Sequence, residues 1–213
     1  AAAAWERQRG AGPVRVVVAS SGEVYGSVPE AEQPIREERL AAPESPYALT
    51  KAAAERLVLA GLAPGALIAR SFNLIGPGQS PIFALPTFAA QLAAVARGEQ
   101  EPVLSVGNLE ARRDFLHVAD GAAAYLLLAE RGEPGGVYNI ATGEAVSIAE
   151  ALARLRGVAG VDVEVKVDPD RFRPIDLPLL AGDATRLRSL GWAPEHTLTD
   201  ALRDLWQATL AAA

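Results

Sequence analysis

Val14 to Ala19 (VRVVVA) is followed directly by Ser20, Ser21 and Gly22, and this stretch decides the fold. A nearly continuous run of β-branched residues is typical of a central strand in a parallel sheet, because helices cover both faces of such a strand. The two serines then lie at the carboxyl end of the strand, which is the edge where open α/β sheets bind ligands. The stretch therefore predicts an α/β protein with a site beside Ser20 and Ser21.

Strand and helix patterns alternate along the rest of the chain. Ser45 is a good N-cap and Pro46 a good first helical residue, so a helix is expected from there to about Gly61. A second apolar strand, Ala66–Arg70, follows it. Further helical patterns cover about 86–97, 118–130, 147–155, 183–190 and 199–210. This alternation predicts βαβ units and therefore an α/β protein with a parallel sheet.

The composition favours small-molecule chemistry. Half of the 213 residues are apolar, which is enough for a folded core, and the formal net charge of −6 comes without any Lys/Arg block. Nucleic-acid binding is therefore not expected, because it depends on clustered cations. The chain has no Cys, and His117 and His196 lie far apart in the sequence, so no metal site is expected either.

The apolar stretches are too short for a membrane span, which needs about 18 residues, and no basic-then-apolar leader opens the chain. A cytoplasmic protein without a membrane partner is the expectation. The chain has no Met and begins with four alanines in what reads as the middle of a helix. We therefore expect it to be part of a longer polypeptide.

Tyr47 and Lys51 are the candidate reactive pair. Their i, i+4 spacing places a phenol and an ammonium on one helix face, one turn apart, where the positive charge favours a phenolate. Lys51 is one of only two lysines among twenty basic residues, which suggests a specific use. The spacing alone is a weak motif and favours an ordinary aromatic and cation on a solvated helix. Ser21 could hold a substrate oxygen, and Glu23 is either a proton-abstracting base or a solvated turn residue.

Four motifs together carry a family resemblance. Ser20–Gly26 (SSGEVYG), Ser45–Lys51 (SPYALTK), Arg70–Asn73 (RSFN) and Arg112–Asp120 (RRDFLHVAD) resemble the extended short-chain dehydrogenase/reductases, the NAD-dependent epimerase/dehydratase family, in the same order. The resemblance covers the whole chain and corresponds to the last two-thirds of a family member. The resemblance implies a Rossmann-type, doubly wound parallel sheet. The chain lacks the Gly-x-x-Gly-x-x-Gly that follows the family's first strand, so the amino-terminal strands of the sheet are expected upstream of it.

The resemblance implies roles for individual residues. The cofactor would be NADP or NAD, the substrate a GDP-sugar, and the assembly a homodimer formed through the helix of Tyr47 and Lys51. The implied catalytic residues are Ser21, Tyr47 and Lys51, with Glu23 in the dehydratases. Lys51 would also hold the nicotinamide ribose. The nicotinamide would be lined by Ala19, Ser20, Phe72 and Leu74, the diphosphate held by Asn73 and Arg113, and the nucleotide's phosphate or ribose reached by Arg173 and Asp176.

Two further segments indicate which branch of the family the chain resembles. Gly76–Gln79 (GPGQ) and Asp168–Asp183 (DPDRFRPIDLPLLAGD) resemble the enzymes of GDP-sugars, and the second is more like the GDP-6-deoxy-D-mannose reductases than the GDP-mannose 4,6-dehydratases. The implied reaction is NAD(P)H-dependent reduction of the C4 ketone of a GDP-4-keto-6-deoxyhexose. A dehydratase using Glu23, another nucleotide-sugar epimerase or dehydratase, and a non-catalytic or nucleotide-sensing fragment remain alternatives.

The same layout predicts two lobes. Residues 1–75 would form the carboxyl-side part of the dinucleotide-binding domain. Residues 76–213 would form mainly a smaller, interleaved substrate-binding lobe, with 111–142 returning to the first domain.

Overall fold

The computed structural model describes residues 15–62, 65–172 and 176–212. The strands are β1 Val16–Ser21, β2 Ala66–Ser71, β3 Asn73–Ile75, β4 Val103–Val106, β5 Arg112–His117, β6 Val137–Ile140, β7 Ala145–Ser147, β8 Glu164–Val167 and β9 Leu179–Leu180. The helices are α1 Pro46–Leu57, α2 Ala84–Ala96, α3 Val118–Arg131, α4 Ile148–Ala159, α5 Thr185–Arg188 and α6 Leu198–Ala211. None of these helices, within the residues described, is long and apolar enough to cross a membrane.

The main sheet has the order β1-β2-β6, and all three strands run parallel. The predicted first strand is displaced: Val14 lies outside the described residues, and β1 contains Ser20 and Ser21 as its last two positions. Neighbouring residues of a strand point to opposite faces. Arg70 contacts α1 and Ser71 contacts α3, so the two helices cover opposite faces of the sheet.

Helix α1 begins as the sequence predicts. The Ser45 hydroxyl accepts a hydrogen bond from the Ala48 N–H, and Pro46 occupies the first turn, where its missing N–H has no cost. After Leu57 the chain continues in a wider turn that includes Gly61 at φ 78°. Only glycine adopts this left-handed conformation readily, so the helical segment ends there.

The remaining strands lie beside this sheet. Strand β5 pairs in parallel with β3 and β9 and antiparallel with β7, while β4 and β8 form a separate parallel pair. The predicted helix over 183–190 is shorter in the structure, Thr185–Arg188. The reason is Asp183, whose backbone N–H donates to the Ile35 carbonyl while its carboxylate accepts from the Thr185 N–H. These bonds hold Asp183 outside the helix.

The buried apolar side chains fall into two clusters. One surrounds the main sheet and includes Leu67, Leu128 and Trp192. The other surrounds α2, α4 and α6 and includes Leu92 and Trp206. We propose, on these clusters, that the predicted two lobes exist and that residues 179–192 belong with the first of them.

The two histidines are neighbours in space. The His117 and His196 rings stack with centroids 4.2 Å apart, so their separation in the sequence did not predict their distance. His117 Nε2 lies 3.2 Å from Asp204, and His196 Nδ1 lies 2.9 Å from Asp120. Within the described ranges, no group of three or more His, Cys, Asp or Glu side chains could hold a metal ion.

The His196–Asp120 pair makes stability depend on pH. Burial opposes ionisation of Asp120, but hydrogen bonds from the His196 ring and from backbone N–H groups lower the pKa of this carboxyl. The Asp120 carboxylate in turn raises the pKa of His196. The stabilisation from His196 is therefore complete below about pH 6.5 and is lost as the pH rises through its raised native pKa, whereas that from Asp120 is lost in acid.

Substitution of His196 should reveal this dependence. We expect His196→Asn to lower the midpoint of thermal unfolding more at about pH 5.5 than at about pH 8.5, because only the charged imidazole contributes the ion pair. Circular dichroism melts of both proteins across this range measure the difference. A deficit that does not change with pH would contradict the assignment.

Candidate active site

A cleft of about 670 Å³ opens at the carboxyl ends of β1 and β2. It is lined by Ser20, Ser21, Glu23, Gly26, Glu44, Ser45, Tyr47, Ser71, Phe72, Asn73, Leu74, Gln79, Ile82, Phe83, Arg113, Asp176, Leu177 and Leu180. Nine of the twelve predicted site residues are among them. Ala19 and Lys51 are not among the lining residues but are hydrogen-bonded to each other, and Arg173 lies outside the described residues. The fold therefore assembles one site from segments far apart in the sequence.

Tyr47 and Lys51 lie where their spacing predicts. Both are in the first two turns of α1, and the Lys51 ammonium is 5.6 Å from the centroid of the Tyr47 ring. Lys51 Nζ donates a 3.0 Å hydrogen bond to the Ala19 carbonyl at the end of β1. Tyr47 is 51% exposed at the wall of the cleft, so a bound molecule can reach its hydroxyl.

Ser21 and Glu23 are placed by a short 3₁₀ turn. The Ser21 hydroxyl caps this turn, Gly22–Tyr25, by accepting a 3.2 Å bond from the Glu23 N–H. This bond uses an oxygen lone pair and leaves the hydroxyl proton for donation. The Glu23 carboxylate lines the cleft 3.5 Å from the Ser45 hydroxyl, beside the start of α1.

The residues predicted to line a nicotinamide have different environments. Ser20 lines the cleft, but its hydroxyl is buried and already donates to Glu55 on α1. The Phe72 ring lies between Gly22 and Gly182, where an added Cβ would come within 2.9 and 2.3 Å of ring atoms. Only glycine at both positions leaves room for this ring. Leu74 lines the cleft directly.

A second cavity of about 350 Å³ adjoins the cleft. Both are lined by Asn73, Leu74, Gln79, Ile82, Phe83, Arg113 and Asp176. Arg113 donates to an Asp176 oxygen at 2.5 Å and to the Leu177 carbonyl at 2.6 Å. The second Asp176 oxygen accepts from Asn108 at 2.7 Å. The two predicted ligands of the nucleotide, Arg113 and Asp176, thus bind each other at the boundary between the cavities.

Two amide oxygens at this boundary fit a bound molecule. Asn73 Oδ1 and Gln79 Oε1 are buried and have no hydrogen-bond partner among the residues described. The Gln79 amide nitrogen donates to the Leu74 carbonyl, which fixes the orientation of the group. Buried acceptors are normally satisfied, so a ligand with hydroxyl or amide donors suits this wall.

Sequence reasoning did not assign several residues of the site. Gln79, Ile82 and Phe83 line both cavities, and Asn108 and Arg171 line the smaller one. Gln79 belongs to the GPGQ loop, whose resemblance had been noted without a role. Arg171 belongs to the segment Asp168–Asp183, whose resemblance had also been noted without a role for this residue. Its position near Asn108 depends on the pairing of β4 with β8, which neither segment contains by itself.

Comparison of the sequence with known proteins agrees with the family that its motifs resemble. Residues 2–205 match the family model described as GDP-mannose 4,6 dehydratase. The chain is 43% identical over 188 residues to the GDP-6-deoxy-D-mannose reductase of Pseudomonas aeruginosa, covering 86% of this chain and 62% of that protein. It is 30% identical over 220 residues to the GDP-mannose 4,6 dehydratase of Drosophila melanogaster, covering 92% of this chain and 55% of that protein.

The structure is similar to solved members of the same group. It matches RMD from Pseudomonas aeruginosa complexed with NADPH with a TM-score of 0.87 and 39% identity, over 92% of this chain and 67% of that one. It matches the UDP-glucose 4-epimerase of Thermus thermophilus in complex with NAD with a TM-score of 0.80 and 30% identity, over 98% and 67%. These matches confirm the predicted Rossmann-type α/β class.

The chain spans 55 to 62% of the length of the two curated relatives described above. The family match nevertheless covers nearly all of this sequence, including the segments that build the cleft. The chain belongs to the GDP-mannose 4,6 dehydratase family, within the NAD-dependent epimerases and dehydratases that its motifs resemble.

Proposed function

We propose that the protein is an oxidoreductase that reduces the C4 ketone of a GDP-4-keto-6-deoxyhexose to a GDP-6-deoxyhexose with NADPH or NADH. The observation that carries the proposal is that Ser21, Tyr47 and Arg113 line one cleft, with the Lys51 ammonium 5.6 Å from the centroid of the Tyr47 ring. The relative from Pseudomonas aeruginosa, a GDP-6-deoxy-D-mannose reductase, supports the choice of substrate class.

The three residues suit proton transfer to a carbonyl oxygen. A nicotinamide bound here would supply the hydride. The Tyr47 hydroxyl would donate its proton to the oxygen that becomes an alkoxide, and the Ser21 hydroxyl would donate a hydrogen bond to the same oxygen. Lys51, 5.6 Å from the Tyr47 ring, would balance the negative charge left on the phenol. The site needs no metal for these steps.

The boundary between the two cavities suits a diphosphate. A guanidinium group presents five donors and binds phosphate oxygens in pairs, so Arg113 can bind a diphosphate while it keeps some of its present bonds. Asn73 lies on the same wall. We place the nucleotide in the 350 Å³ cavity and the sugar in the 670 Å³ cleft. Arg173 and Asp176 stay predicted contacts of the nucleotide.

A 4,6-dehydratase is the second candidate, and the position of Glu23 favours it. The Glu23 carboxylate lines the cleft near Tyr47, where it could remove the C5 proton of a sugar. In that reaction the oxidised cofactor would be reduced and then oxidised again within one cycle. The segment Asp176-Leu177-Pro178, which resembles the reductases, supports the first candidate instead.

An assay without added reduced cofactor separates the two. The full-length protein is incubated with GDP-mannose alone, and separately with a GDP-4-keto-6-deoxyhexose and NADPH. We expect no 4-keto product in the first reaction and consumption of NADPH in the second. Formation of the 4-keto sugar from GDP-mannose would assign the dehydratase reaction, and inactivity with tight GDP-sugar binding would favour a nucleotide-sensing module.

We also propose a homodimer formed through α1. Leu49 and Leu57 on this helix and Leu59 just after it are each more than half exposed. Large apolar side chains grouped on one helix are typical of a surface that another subunit covers. The dimer would then support the helix that carries Tyr47 and Lys51.

A further inference from the structure

Three polar side chains form a row across the main sheet, just below the cleft. Ser20 on β1, Arg70 on β2 and Asn139 on β6 are register partners in the parallel pairing. All three are buried. The row lies one residue before Ser21, so it supports the position from which Ser21 reaches the cleft.

Glu55 connects this row to α1. It lies one turn beyond Lys51 and two turns beyond Tyr47, on the same helix face. Its side chain is buried, and the residue is only 2% exposed. One carboxylate oxygen accepts from the Ser20 hydroxyl at 2.5 Å and from Arg70 Nε at 2.9 Å, and the other accepts from Arg70 Nη2 at 2.6 Å.

Asn139, at the other end of the row, is also held by hydrogen bonds. The Arg70 guanidinium lies 4.6 Å from the centroid of the Tyr25 ring, and the Tyr25 hydroxyl donates to Asn139 at 2.8 Å. The Asn139 amide donates to the Ile35 carbonyl. Burial opposes the charge of Arg70, yet the hydrogen bonds and charge of Glu55 raise its pKa, so the ion pair is maintained.

Stability alone does not account for this arrangement. Two charges lose their hydration when they are buried, and well-packed apolar side chains of similar size often give equal or greater stability. What a pair joined by several hydrogen bonds adds is directionality, because the two Arg70 nitrogens and the Ser20 hydroxyl that bind Glu55 favour one alignment of the groups they join. Here those groups are a helix and the ends of two strands.

The alignment concerns the reactive residues directly. Ala19, Ser20 and Ser21 are consecutive in β1. The Ala19 carbonyl binds Lys51, the Ser20 hydroxyl binds Glu55, and Ser21 lines the cleft. Two bonds, one helical turn apart, therefore set the register of α1 against the strand that carries Ser21.

We propose that Glu55 and Arg70 are positioning residues that hold Tyr47 and Lys51 in register with Ser21. This inference rests on the proposed function for its kinetic consequence. A displacement of about 1 Å at a reacting group can cost about 100-fold in rate, so a helix that shifts along β1 loses catalysis without losing the substrate site.

The test replaces both partners together, since removing one would leave a buried charge alone. We expect Glu55→Leu combined with Arg70→Met to keep a thermal midpoint near that of the unmodified protein. The same variant should lower kcat by about 10- to 100-fold, with KM for the nucleotide sugar changed less than about twofold. The matched control makes the same substitutions in the exposed pair Glu150 and Arg154, and its kcat should not change. An unchanged kcat in the Glu55 and Arg70 variant would overturn the proposal.

A hydrogen-exchange measurement and a second variant, Arg70→Lys, allow the proposal to be tested even without turnover or if the double variant does not fold. Hydrogen exchange of the amides of residues 47–51 should be faster in the Glu55 and Arg70 variant than in the control, and this readout does not require turnover. If the unmodified protein converts no nucleotide sugar, the proposed function fails, while unchanged exchange would refute the positioning role by itself. If the double variant does not fold, Arg70→Lys keeps the charge and loses the paired geometry, and it should still lower kcat about threefold.

Discussion

Replacement of Tyr47 by phenylalanine is expected to lower kcat by about 10²- to 10⁴-fold, because the substitution removes the only proton that the tyrosine can transfer. The ring itself is retained, and at 51% exposure it contributes little to the core. We therefore expect the unfolding midpoint and KM for the nucleotide sugar to stay close to those of the unmodified protein. Steady-state kinetics with the full-length protein and NADPH measure the effect.

Tyr125 provides a matched control. It is a second tyrosine near the cleft, on α3, and its hydroxyl lies 2.8 Å from that of Ser71, which lines the cleft. Burial raises the pKa of Tyr125, so its hydroxyl stays protonated in neutral solution. We expect Tyr125→Phe to change kcat by less than about threefold. Equal losses in the two variants, or an unchanged rate in Tyr47→Phe, would remove Tyr47 from the centre of the mechanism.

Local patterns predicted the elements that carry the reactive groups. The N-cap Ser45, the first-turn Pro46 and the i, i+4 spacing of Tyr47 and Lys51 each depend on neighbours in the sequence, and the structure has the helix where they place it. The site at the ends of the first strands followed from the parallel sheet. Family resemblance added Arg113 and Asp176, which lie on the wall of the same cleft.

Other features depend on contacts between distant segments, so no local pattern contained them. A glutamate in an alanine-rich helix suggests a solvated face, yet Glu55 is buried because Ser20 and Arg70 supply its donors. His117 and His196 stack although they are distant in the sequence. Arg113 forms its ion pair with the distant Asp176 rather than with Asp114, its neighbour in the sequence.

Asp114 holds three segments of the chain together. It is fully buried on β5. One oxygen accepts from the Thr142 N–H and hydroxyl at 2.8 and 2.7 Å, and the other accepts from the N–H groups of Gly143 and Gly182 at 2.9 and 3.3 Å. Burial raises the pKa of Asp114, and these four donors counteract part of that rise.

We expect Asp114→Ala to destabilise the protein by about 3–5 kcal/mol, because three backbone N–H groups would lose their acceptor where water has little access. Asp114→Asn should cost less, since the amide keeps one acceptor oxygen but turns its NH₂ group toward backbone donors. Asp162, whose side chain is fully exposed in its pair with Arg156, is the control, and Asp162→Ala should change stability by less than about 0.5 kcal/mol. Urea unfolding followed by circular dichroism gives all three values. A loss no larger for Asp114→Ala than for Asp162→Ala would mean that the loop at Thr142 and Gly143 is held by its own turn rather than by the carboxylate.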